Sequence, residues 1–178
     1  MSELRSNRIT DIAGTASPNI PGAVLQVKSG MYNGHMALTL DTRVDIPNLA
    51  LTITPLSTAS RVLIMTTLCY GCTATNLYAS GFLMRDSTDI GLGTGATGSR
   101  LNVSFPMDMS GSSTEIYKIK QGSMTFLDDP ATTSAITYKV QVRHHVNGTM
   151  YMNRSGQDSN ADYGNRTIST FTIMEIGG

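Results

Sequence analysis

Cys69-Tyr-Gly-Cys72 holds the only two cysteines of the chain, at the C-x-x-C spacing that serves thiol–disulfide exchange or zinc binding. A redox motif opens a helix beside a strand, whereas this one closes an apolar, β-like run from Val62 to Cys69. Zinc needs two further ligands, and His144-His145 is the cluster available. The residues therefore read as two reduced structural cysteines, with zinc and thiol exchange as the alternatives. The two histidines are neighbours on a predicted strand, so their side chains leave opposite faces and cannot grip one metal without a bulge.

Gly93-Thr-Gly-Ala-Thr-Gly98 matches the dinucleotide pattern G-x-G-x-x-G, which needs a strand before it and a helix after it. The next residues, Ser99-Arg-Leu-Asn-Val-Ser104, have a strand pattern, so the glycines read as a surface loop. Asp128-Asp129 is a carboxylate pair, but beside Pro130 it reads as turn chemistry. No serine sits in a G-x-S-x-G elbow. The scattered methionines, among them Met65, Met124, Met152 and Met174, lack ligand spacing and read as gap-fillers. Sequons at Asn102, Asn147, Asn153 and Asn165 are what a Ser/Thr-rich chain produces by chance. The expectation is a protein that is not an enzyme and uses no metal or cofactor.

The elements that position these residues are strands. From Ala23 onward apolar residues recur with period two or in short runs, near 23–28, 36–46, 49–54, 61–69, 76–84, 100–105, 115–120, 122–127, 135–144, 149–153 and 166–176. Gly, Pro, Asn and Asp fall between them at the spacing of an all-β sandwich or barrel. Asn147-Gly148 reads as a hairpin turn. Alternation sends Ile136, Tyr138, Val140 and Val142 to the core, with Thr137, Lys139, Gln141 and Arg143 opposite. In the last strand Phe171 and Ile173 point one way, Ile168, Met174 and Ile176 the other. Apolar residues on both faces imply a cover on each, either from within the monomer or, as the sharper reading, from a second subunit. Phe171, Ile173, Met174 and Ile176 are the candidate subunit interface.

Composition bounds the partners. The chain has 178 residues, 15% charged, with 13 basic and 13 acidic side chains. That length suits one domain that needs no metal or disulfide staple. Zero net charge without a basic cluster gives no footprint for nucleic acid. No apolar run is long enough for a membrane span, and the first residues lack the apolar core of a secretory signal. Residues 1–22 carry spaced apolar residues, Leu4, Ile9 and Ile12, in a polar background with Gly and Pro, and read as an extended docking arm. Residues 23–178 form the sandwich.

Several runs carry a resemblance. Met1-Ser-Glu-Leu-Arg-Ser-Asn-Arg-Ile9, Ile12-Ala-Gly-Thr-Ala-Ser-Pro18 and Leu51-Thr-Ile-Thr-Pro-Leu-Ser-Thr-Ala-Ser-Arg-Val-Leu-Ile64 resemble small virion and tail-fibre proteins of marine and cyanobacterial tailed phages. So do Leu127-Asp-Asp-Pro130, Tyr138-Lys-Val-Gln141, Gly148-Thr-Met-Tyr-Met-Asn-Arg-Ser155 and Ser169-Thr-Phe-Thr-Ile-Met-Glu-Ile176. The strand order also resembles the jelly roll of complement globular heads and tumour necrosis factor, which form trimers. The resemblance implies an antiparallel, jelly-roll-like β-sandwich, made in the host cytoplasm and housed in the virion. It would assemble as a homotrimer and join other phage virion proteins through its arm. The implied role is a tail-fibre or receptor-binding tip that contacts a host-surface glycan or protein; the alternative is a capsid decoration or head-fibre protein. Within that role the exposed contact loop is expected around Arg85, Asp86 and Asp89, with the turn at His144, His145 and Asn147.

Overall fold

The computed structural model describes residues 20–74, 76–110, 115–145 and 148–178. The expected docking arm, with Leu4, Ile9 and Ile12, lies outside the described residues, as does Asn147. The strands are β1 (Val24–Tyr32), β2 (Ala37–Leu38), β3 (Val44–Ile53), β4 (Arg61–Cys72), β5 (Asn76–Leu77), β6 (Ala79–Arg85) and β7 (Thr88–Ile90). They continue as β8 (Phe105–Pro106), β9 (Met109–Ser110), β10 (Lys120–Asp128), β11 (Ile136–His144), β12 (Met150–Met152) and β13 (Ser169–Ile176). One 3-10 turn, Glu115–Tyr117, precedes β10, where a strand over 115–120 was expected. Residues 100–104, also expected as strand, are irregular.

Two antiparallel sheets face each other. The first runs β1-β13-β4, with β10 on the far side of β4; β12 continues beside β4 and pairs with β2. The second runs β3-β11-β6-β7, with β8 also on β6. The long strands therefore alternate between sheets as β1-β13-β4-β10 against β3-β11-β6-β7, the order of a jelly roll. β13 sits between β1 and β4, so its backbone groups are paired on both sides.

Two local readings differ from expectation. β11 and β12 are joined by a crossover, not a hairpin, because both edges of β11 are already taken by β3 and β6, and β12 pairs in the other sheet. The two strands expected at 36–46 and 49–54 are β2 and a single β3 with a bulge. Its register against β11 jumps from Lys139↔Ala50 to Gln141↔Asp45, where Pro47 has no N–H to give and Asn48 takes φ 64°.

The core lies between the sheets. From β11 come Tyr138, Val140 and Val142, from β4 Ile64 and Leu68, and from β13 Phe171 and Ile173, all fully buried. Gly81 on β6 lets the Phe105 ring lie against bare backbone, since a Cβ there would stand 2.2 Å from the ring.

Candidate functional site

Strand alternation decides the cysteines. Cys69 and Cys72 are three residues apart on β4, so one points out of the sheet and the other into the core. Neither forms a disulfide among the described residues, and both are buried. The Cys72 thiol donates to the Ala74 carbonyl at 2.9 Å, and Gln121 Nε2 lies 3.5 Å from Cys69 Sγ. On opposite faces of an intact strand they cannot share one metal or bond to each other. Among the described residues no three His, Cys, Asp or Glu side chains converge on a metal position. No helix among them is long and apolar enough to cross a membrane.

The expected contact residues are tied into the sandwich. Arg85 Nη1 reaches Asp128 Oδ2 at 2.9 Å and the Asp129 carbonyl at 3.2 Å. Asp86, at φ 53°, makes the tight β6–β7 turn and accepts from the Thr137 amide at 2.8 Å. Asp89 receives Arg43 Nη1 on both oxygens, at 2.7 and 2.9 Å, and the Arg43 guanidinium lies 3.7 Å over the Phe82 ring. The contact loop expected around Arg85, Asp86 and Asp89 is therefore a hairpin, because Asp86-Ser87 closes it and β7 pairs with β6. Glycines 93–98 fall in the irregular stretch after it, held by Gly93 N–H to Val103 O and Ala96 N–H to Asn102 Oδ1, with no helix following.

His144 and His145 do leave opposite faces. His144 is fully buried, in line with Val140 and Val142, so it belongs to the core and not to an exposed contact surface. Its Nδ1 meets the His145 carbonyl at 3.0 Å, while Nε2 has no partner among the described residues. His145 is half-buried, with Nδ1 3.7 Å from Asp41 Oδ2.

The outer face of the second sheet is a lattice of charge. Asp45 takes Lys139 Nζ at 2.9 Å and Gln141 Nε2 at 2.7 Å; Asp41 takes Arg143 at 2.6 and 3.2 Å. The Arg143 hydrogen bond and charge hold the Asp41 carboxyl below its ordinary range against a desolvation that opposes them. Burial would raise Asp45, but hydrogen bonds from Gln141 and Lys139 overcome it and hold that carboxyl low as well. Such surface pairs add little stability each. They do make a face whose polar groups are satisfied within the chain.

The outer face of the first sheet is the reverse. Cross-strand register places Val27 of β1, Met174 of β13, Leu63 of β4 and Leu127 of β10 in one row across all four strands. The row beside it reads Val24, Ile176, Arg61, and the next reads Ser29, Thr172, Met65, Thr125. Beyond these come Met31, Thr170, Thr67 and Ser123. Arg61 is the one charge among these rows. Val24, Val27, Met31 and Leu127 are 53%, 53%, 48% and 44% exposed. A run of this kind on a monomer's surface marks an interaction site.

This face sorts the four residues expected at a subunit interface. Phe171 and Ile173 lie wholly inside the chain's own core, fully buried, so neither can touch a second subunit. Met174 and Ile176 are on the outer face, half-buried. Sequence reasoning missed Val27, Leu63 and Leu127. The signal was present in β4, where both phases of Val62-Leu-Ile-Met65 are apolar, as a strand covered on both faces requires.

No protein-family model matches the chain, and no curated protein sequence matches it. Among solved structures the chain is similar to a mutant VP2 protein of infectious bursal disease virus, from derived T=1 particles. That match has 9% identity and a TM-score of 0.46, over 98% of this chain and 40% of that one. It is also similar to the structure of infectious bursal disease virus, Gx strain, with 9% identity and a TM-score of 0.42, over 86% of this chain and 37% of that one. The chain spans less than half the length of either.

Proposed function

We propose that this chain is a structural subunit of a bacteriophage virion, a trimeric tail-fibre or receptor-binding tip that contacts the host surface and joins other virion proteins through residues 1–22. The observation that carries the reading is the contrast between the two outer faces. One is laced with internal ion pairs and suits water; the other is almost without charge and carries an apolar row, and suits burial in an assembly. The jelly-roll order supports the same class, since this architecture recurs in viral capsid and lectin domains. That support is an analogy of fold. In this role the chain needs no catalytic centre and no cofactor. A capsid decoration or head-fibre protein is the second reading, favoured by the same strand order. Immunogold labelling of virions with antibody to the chain, together with copy number per virion by mass spectrometry, tests both. Few copies at the tail support the tip, hundreds on the head support decoration, and unlabelled virions overturn the virion reading.

A further inference from the structure

We infer that the outer face of the β1-β13-β4-β10 sheet is where copies of this chain pack against one another, with the row Val27–Met174–Leu63–Leu127 at the centre of the contact. The inference rests on the assembly reading above and names the partner of that face: a second copy of the same chain.

Three observations select that occupant. The first is charge. A partner of opposite charge would need charge to meet, and in the four rows named above only Arg61, at the margin beside Ile176, is charged. An uncharged apolar surface needs no charged counterpart, and interfaces between identical subunits are the more apolar class. The second is area. Four strands at about 4.8 Å spacing and roughly 25 Å of strand length give a face of about 480 Å², or roughly 1,000 Å² for two copies together. That meets the lower limit of about 1,000 Å² for a specific interface. The third is the gradient of chemistry along the strands. Apolar rows at the Val24 end give way to Ser and Thr at the Met31 end, so the face has a dry centre and a polar margin on that side.

The experiment is native mass spectrometry and light scattering on the full chain, alongside Leu63→Lys and Val27→Lys. Thr52→Lys serves as a control on the opposite sheet, where Thr52 faces Thr137 across the strands. The unsubstituted chain should be an oligomer at micromolar concentration. Leu63→Lys and Val27→Lys should raise the dissociation constant by roughly a hundredfold or more, because each buries an unpaired charge. Both should keep the far-ultraviolet circular dichroism of the parent, and Thr52→Lys should leave the oligomer intact. Should Leu63→Lys fail to fold, Val27→Lys on the edge strand decides alone. A monomeric parent, or oligomers that survive both substitutions, overturns the inference. Since these measurements use purified protein, that result would stand apart from virion labelling, which tests the assembly role itself.

Discussion

Tyr138 donates its phenol proton to Asp128 Oδ2 at 2.6 Å, and both side chains are buried where β10 and β11 close one end of the sandwich. Arg85 supplies the countercharge from β6 at 2.9 Å. Burial first, then the hydrogen bond and charge of Asp128, raise the Tyr138 phenol far above its ordinary value, so it stays a donor at any physiological pH. A pair of aspartates that looks like turn chemistry in the sequence thus divides. Asp129 presents its carbonyl to Arg85, while Asp128 anchors three strands.

Tyr138→Phe keeps the ring and removes the donor. The loss of a buried hydrogen bond to a charged group should cost about 2 kcal/mol. For a chain of this size that is a fall in Tm of roughly 4–8 °C, read by differential scanning calorimetry. An unchanged Tm would show that Arg85 alone satisfies Asp128.

The phenols also set an alkaline limit. Burial pushes the Tyr70 hydroxyl up to about 12, with Asp108 and Cys72 adding to it. An unfolded tyrosine ionises near pH ~10. Below that both states hold the proton and the stabilisation is complete. As pH rises above it the unfolded chain loses protons that the folded chain keeps, so stability falls by up to about 1.4 kcal/mol per pH unit for each such phenol. Urea unfolding across this window should show the decline, and Tyr70→Phe should make it shallower.

Neighbouring residues of β13 should respond oppositely to truncation. Phe171→Ala opens a hole in the core and should cost about 3–5 kcal/mol in urea unfolding. Thr172→Ala, on the outer face one residue on, should shift stability by no more than about 0.5 kcal/mol. Similar losses at both would mean the strand's alternation is misplaced.

His144 predicts a gain. Its Nε2 is buried without a partner among the described residues, a condition that costs about 1–3 kcal/mol. His144→Leu removes that atom along with the Nδ1 contact to the His145 carbonyl and should raise Tm. A lower Tm would indicate that a buried water completes the imidazole.

What the residues determined by themselves was the fold class. Period-two alternation in 136–142 assigned Ile136, Tyr138, Val140 and Val142 to the core, because a strand leaves its side chains no other choice, and all four are buried. The same rule separated His144 from His145. Tertiary structure decided which strands are neighbours, and with that everything depending on a cross-strand partner. Leu63, Met174, Val27 and Leu127 form one row only because β13 lies between β1 and β4 while β10 takes β4's other edge. Hydrogen bonding between strands is blind to sequence separation, so no local pattern announces that β13 will join β1 across the length of the chain. Likewise Asp89 reads as a free loop carboxylate until β3 brings Arg43 alongside, and Asp128 as a solvated turn until β6 delivers Arg85. Whether a charge is spent inside the fold or left for a partner is decided by pairing over long separations. For that reason the second sheet's face closes on itself and the first sheet's stands open.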